Sequence, residues 1–197
     1  KPVDERSFKT RSASLIAVGG SEWDILALPM MQLSVISTHM DIVYKILVNW
    51  TGLPGSVLFR DEIIERARKS GEHVVKTLLK QEDRRISDEK ERPEYIGEKG
   101  ICPICHSKLI EIRDEDKNYP AICAVCGIKG TLNVINNKVK FEVSKEDSYH
   151  AHVYLSGKFE HGDELKNIAL KPNPKIEELP KLMEKYKNYL SYFYLDY

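Results

Sequence analysis

Four cysteines are the residues of this chain best able to do chemistry together. They are its whole cysteine complement and fall within 25 consecutive positions: Cys102-Pro-Ile-Cys105, seventeen residues, then Cys123-Ala-Val-Cys126. Two residues between thiols let both sulfurs of a tight turn face one point, with backbone N–H groups of the turn free to donate to them. A second such turn, carried back by a hairpin, completes a tetrahedron. Gly127 supplies the positive φ that such turns adopt. The expected metal ligands are therefore Cys102, Cys105, Cys123 and Cys126, with His106 at the rim and outside the ligand set. All four positions are filled by protein, which leaves no open coordination position and implies a structural site without hydrolytic work. Zinc is the expected ion. Iron uses the same ligand set, and two disulfides are a third alternative that a reducing cytoplasm disfavours.

The spacing is that of a zinc ribbon. Lys108 to Arg113 alternates like a strand, Asp114 to Asn118 is a polar turn, and Tyr119 to Ile122 returns to the second knuckle. The expected module spans 100–145 and includes a second hairpin, in which Thr131 to Ile135 and Lys138 to Val143 flank Asn136-Asn137.

The elements before it alternate in type. Ala13 to Val18 is a short apolar run ending at Gly19-Gly20, as a buried parallel strand ends at a turn. Ser21 or Asp24 is expected to cap a helix reaching Met40, with Pro29 tolerable only in its first turn. Asp41 to Trp50 predicts a second buried strand. Asp61 is expected to cap a helix in which Ile63, Ile64, Ala67, Val74, Val75, Leu78 and Leu79 recur at helical spacing opposite a charged face, with Gly71 inside. Strand, helix, strand, helix implies a parallel α/β sheet with right-handed crossovers. Two strands cannot form such a sheet alone. The first would leave an apolar edge, so completion by another chain or by upstream strands is expected; the chain begins with Lys rather than Met. Residues 83–99 read as a charged linker. Residues 146–197 read as an extended segment, with a strand-like piece at His152–Leu155, and then a helical arm from about Ile176 to Phe193.

Composition narrows the partners. The 197 residues carry 30 basic and 30 acidic side chains, so there is no bulk attraction for nucleic acid or anionic membrane. Within 100–130, Lys108, Arg113, Lys117 and Lys129 are matched by Glu111, Asp114, Glu115 and Asp116, a poor phosphate-binding surface. No apolar run reaches membrane-spanning length and the start lacks the apolar centre of a signal peptide. A cytoplasmic protein with no nucleic-acid or membrane partner is expected.

The stretches Leu15-Ile-Ala-Val-Gly-Gly-Ser-Glu-Trp-Asp24, Leu26-Ala-Leu-Pro29 and Leu47-Val-Asn-Trp-Thr-Gly-Leu-Pro-Gly55, with the helix from Asp61, resemble the C-terminal half of a flavodoxin-like protein. The closest group is the NADPH-dependent FMN reductase and iron–sulfur flavoprotein family. The resemblance covers about residues 10 to 82, within an expected first domain of 1–82, and matches that fold's fourth and fifth strands and helices. It implies FMN outside the carboxyl ends of the strands, with Gly19, Gly20, Ser21, Glu22 and Trp23 in the loop nearest its ring. It further implies a reduced nicotinamide or a redox protein as electron donor, and a homo-oligomer. The flavin would perform the hydride or electron transfer, so no catalytic side chain is singled out. The phosphate-binding loop of that fold is not in these residues, and the four cysteines do not match the family's iron–sulfur cluster; they look like an added ribbon. Two rivals stand beside this reading: a non-catalytic zinc-ribbon module for protein contact, and a rubredoxin-like iron centre for electron transfer. Trp50 reads as core or subunit interface, His39 as a helix-end residue on the dipole, His150 and His152 as alternating strand positions, and His73 and His161 as solvent-facing. The tyrosines from Tyr186 onward read as a packing stripe.

Overall fold

The computed structural model describes residues 11–21, 24–80, 92–113, 115–169, 171 and 174–187. The chain divides into two compact units, 1–162 and 163–197. Glu22, Trp23 and the tyrosines from Tyr189 onward lie outside the described residues.

The first unit opens with β1 (Ser12–Val18), α1 (Ala27–Ser37), β2 (Asp41–Val48) and α2 (Asp61–Lys80). β1 and β2 pair in parallel, and their register slips once: Ala13 stands opposite Ile42 but Ser14 opposite Tyr44, leaving Val43 without a counterpart. That bulge reverses the facing of β2 beyond it. Tyr44, Ile46 and Val48 then join Ile63 of α2 in one core. Lys45 points to the other side, where its ammonium meets Gln32 of α1. One helix therefore covers each face, as a parallel sheet requires. Burying Ile46, Val43 and Val48 almost completely contributes roughly 1.5–3 kcal/mol each.

The caps differ from expectation. Neither Ser21 nor Asp24 caps α1; its N-cap is Leu26, with no side-chain bond, and Pro29 sits in the first turn, where its missing N–H is harmless. In α2 the first amides donate to the Arg60 carbonyl, so Asp61 lies inside the helix, where its charge suits the N-terminal dipole. The buried line of α2 runs through Ile63, Ser70 and Thr77, leaving Ile64, Val75, Leu78 and Leu79 exposed. Among the described residues β1 pairs only with β2, and Ile16 and Val18 remain exposed.

The charged segment expected as a linker behaves differently over its described part, 92–99. It lies along the free edge of β2: Ile96 N–H donates to the Val43 carbonyl, and Arg92 pairs with the buried Asp41 at 3.0 Å. Gly97 passes so close to the Lys45 amide that a Cβ would stand 2.6 Å from it. β3 (Ile110–Ile112), β4 (Ala121–Cys123), β5 (Lys129–Ile135) and β6 (Lys138–Glu142) form an antiparallel sheet in chain order. Asn136 and Asn137, at φ 52 and 58, make the two-residue turn between β5 and β6.

Beyond it the strand-like reading of His152–Leu155 fails. A short α3 (Lys145–Ser148) is capped by Ser144, whose Oγ accepts from the Asp147 amide, and α4 spans Leu155–Ala169. The polar segment expected to be extended thus holds a 15-residue helix. In the fold Gly157 lets the helix touch backbone, since a Cβ would lie 2.4 Å from the Ala151 carbonyl oxygen. In the second unit, a 3-10 turn (Ile176–Glu178) leads into α5 (Leu179–Lys187), with Pro180 in the first turn; Leu182, Met183 and Tyr186 are exposed. Among the described residues no helix is long and apolar enough to cross a membrane.

Candidate metal centre and the loops at the strand ends

The two Cys-x-x-Cys segments are copies of one turn. Cys102 N–H donates to the Ser107 carbonyl at 2.9 Å, and His106 N–H donates to the Cys102 carbonyl at 3.0 Å. In the second copy Cys123 N–H donates to Ile128 at 2.8 Å, and Gly127 N–H to Cys123 at 2.9 Å. Both turns close through a left-handed residue, His106 at φ 58 and Gly127 at φ 72. β3 and β4 pair Ile110 with Cys123 and so bring the turns together.

All four sulfurs are buried and lie within 4.8 Å of one another. Cys102 and Cys126 Sγ are 3.8 Å apart and Cys105 and Cys123 Sγ 3.5 Å. Four thiolates at the ~2.3 Å of zinc–sulfur bonds stand ~3.8 Å apart at the corners of a tetrahedron. Disulfide sulfurs would sit at about 2.05 Å, and these cysteines are free. The cluster can hold a metal ion. Around the centre pack Ile36, Ala121, Val125, Ile128, Phe141 and Ala151.

His106 stays out of the ligand set. Its ring stacks on Tyr95 with centroids 4.1 Å apart, and burial, with Lys45 and Arg92 nearby, lowers its pKa to about 4. Two buried polar residues without a motif to mark them hold the first turn. Gln32 of α1 donates from Nε2 to the Cys105 carbonyl at 2.8 Å. Lys45 of β2 donates from Nζ to Gln32 Oε1 at 3.2 Å and to the His106 carbonyl. The available signal was a lysine inside an otherwise apolar strand and a glutamine inside an apolar helix. His150 and His152 are not on a strand: His150 pairs with Glu160, and the His152 ring lies 4.7 Å from that of His161. His73 is half-buried and bonds the Glu94 carbonyl at 2.8 Å.

At the carboxyl ends of β1 and β2 two loops are tied together. Thr51 donates to the Gly19 carbonyl from its amide at 3.2 Å and from Oγ1 at 2.9 Å, while Gly19 N–H donates to Val48 at 2.8 Å. Asn49 donates to Asp24 Oδ1 at 3.3 Å. The other oxygen, Asp24 Oδ2, is buried with no hydrogen-bond partner among the described residues. It lies 1.9 Å from where a Cβ on Gly19 would be, so any larger residue there would push the carboxylate aside. Gly20 and Ser21 are exposed, and nothing stands within 4 Å of a Cβ built on Gly20. Trp50 is not core: it is 68 % exposed and holds φ 60. Leu53, Leu58 and Phe59 follow it, all exposed.

No protein-family model matches the chain. Over 167 residues it is 30 % identical to flavone synthase cfoJ of Aspergillus candidus, an alignment covering 83 % of this chain and 49 % of that protein. A solved structure of a flavone reductase matches with a TM-score of 0.67 at 27 % identity, covering 98 % of this chain and 61 % of that one. The chain thus spans about half the length of the curated relative it matches.

Proposed function

We propose that the chain is the part of an FMN-dependent oxidoreductase that borders the flavin ring, stiffened by a structural zinc centre, and that its substrates are flavone-type planar ring systems. The similarity to proteins named flavone synthase and flavone reductase supports the oxidoreductase class and suggests the substrate. The observation that carries the cofactor reading is the loop pair at the strand ends. The Gly19 amide donates to the Val48 carbonyl and Thr51 donates to the Gly19 carbonyl, so the two loops stand side by side as one edge at the sheet's carboxyl end. Gly20 offers open backbone to a flat ligand, and ligands of open parallel sheets bind at this end of the strands. Bound FMN would supply the hydride or electron transfer, with a reduced nicotinamide or a redox protein as donor. The chain's own residues do the positioning: Thr51 and Asn49 fix the Gly19–Asp24 loop, and exposed Trp50 offers a face on which a planar ring can stack.

For the cysteine centre we take zinc as the ion, since four protein thiolates closing a tetrahedron make a structural zinc site. Absorption spectroscopy with metal analysis and FMN titration tests both readings. A flavin spectrum and one zinc per chain are expected. A protein that refuses added FMN removes the cofactor reading, and a red ferric-thiolate spectrum replaces zinc by iron.

A further inference from the structure

We propose that Lys45 is the fixed counter-cation of the four-cysteine centre, so that loading of the metal and seating of the cysteine turns on the parallel sheet are one event. The inference rests on the metal reading above and concerns a residue outside the ligand set. Lys45 is 3 % exposed, in the middle of β2. A buried ammonium without an anion is strongly unfavourable, yet its hydrogen-bond acceptors are both neutral, Gln32 Oε1 and the His106 carbonyl. Among the described residues no carboxylate forms an ion pair with it. The Tyr95 ring lies 5.7 Å from it, and the carbonyl it holds belongs to the residue directly after Cys105. Burial lowers its pKa, and Cys105, Cys102 and Cys123 act in the opposite sense. Four thiolates around a divalent ion leave two negative charges in a buried place, and Lys45 is the buried cation beside them.

The surrounding bonds hold that ammonium in place. Gln32 grips the Cys105 carbonyl with its amide nitrogen and the Lys45 ammonium with its amide oxygen, while Lys45 itself grips the next carbonyl, that of His106. One bracket therefore joins α1, β2 and the first cysteine turn. Partners just outside a metal's ligands commonly change its affinity about 10- to 100-fold.

The test compares the full chain with Lys45→Met and Lys45→Arg, after the unaltered protein has been shown to hold one zinc. Three quantities are read: zinc affinity by chelator competition, the rate of cysteine alkylation in the zinc-loaded state, and the sulfur-to-metal charge-transfer band of the cobalt-loaded protein. Lys45→Met is expected to weaken zinc about tenfold or more, to speed alkylation and to shift the cobalt band, with Lys45→Arg near the unaltered protein in all three. Should Lys45→Met fail to fold, Lys45→Gln keeps a donor for both acceptors without the charge. Zinc affinity, alkylation and cobalt band unchanged in the folded neutral variant overturn the proposal while leaving the metal centre standing. Absence of zinc from the unaltered protein removes the metal reading itself.

Discussion

His106 and Gly127 occupy the same place in two copies of one turn. Each donates its amide to the carbonyl of the cysteine four residues earlier, at 3.0 and 2.9 Å, and each sits at positive φ, 58° and 72°. The two differ in what holds them there. Glycine adopts this conformation freely, while a side chain costs roughly 1–2 kcal/mol. The His106 ring offsets that cost by stacking on Tyr95. Gly127→Ala is expected to destabilise the loaded protein by about 1 kcal/mol, through backbone alone, because a Cβ there meets the His152 ring at an ordinary 3.5 Å. His106→Ala should cost as much or more by keeping the strain and losing the ring, whereas His106→Gly should be milder. Denaturant midpoints of the three variants rank them, and a Gly127→Ala protein as stable as its parent contradicts the account.

Removing one sulfur should do more than loosen the turns. Cys105→Ser breaks the ligand set, and the bonds from Gln32 and Lys45 to the Cys105 and His106 carbonyls carry the disturbance into α1 and β2. Amide hydrogen exchange should show protection lost across 100–130 and reduced in β2 around Val43 to Ile46. Protection around Ile63 should persist, because its core partners Tyr44, Ile46 and Val48 lie on the opposite face. Loss confined to 100–130 would show that the bracket transmits nothing.

Lys158 gives stability a slope with pH. Its Nζ donates to the Ile36 carbonyl at 3.1 Å and to His39 Nδ1 at 2.9 Å. Burial lowers its pKa to about 8, against the opposing pull of Asp41 and with the help of Arg92. Burial, then Lys158, lowers His39 also. Between a depressed folded value and the ordinary one, the unfolded chain binds more protons, so stability rises with pH. The expected rise lies between pH about 8 and the ordinary lysine value of about 10.4. Lys158→Met should flatten that window, and urea midpoints across it provide the check.

How much of this was legible in the sequence depended on distance along the chain. The cysteine turns, the parallel strands at Ser12–Val18 and Asp41–Val48, and the Asn136-Asn137 hairpin follow from local spacing, and the structure places them within a residue or two. The bracket did not, because what buries Lys45 is a carbonyl 61 positions away. Helix α4 was missed because Leu155–Ala169 is polar and lacks a clear apolar stripe. The role of 92–99 was missed because charge suggests solvent, while Arg92 and Ile96 find partners in Asp41 and Val43. The Gly19-Gly20 loop was marked by its glycines, but the partnerless oxygen of Asp24 appears only once the chain folds back on Gly19.

Trp50 offers the sharpest test of the strand-end loops. It is a large side chain with φ 60 and 68 % exposure, so neither backbone preference nor burial explains it. Non-glycine residues in this region cost of order 1–3 kcal/mol and cluster where a ligand is met. The strain is locked from outside: Arg60 donates from Nη1 to the Asn49 carbonyl at 2.9 Å, and Thr51 is bonded to Gly19. If the indole serves a ligand, removing it should separate stability from binding. Trp50→Gly should raise stability by about 1 kcal/mol, since the strain goes and little burial is lost, while weakening FMN or a flavone-type substrate at least severalfold. Thermal midpoints and ligand titrations on the same preparations give both numbers. A variant that loses stability shows the indole to be a packing element after all, and one that gains stability with binding unchanged shows that the ligand lies elsewhere.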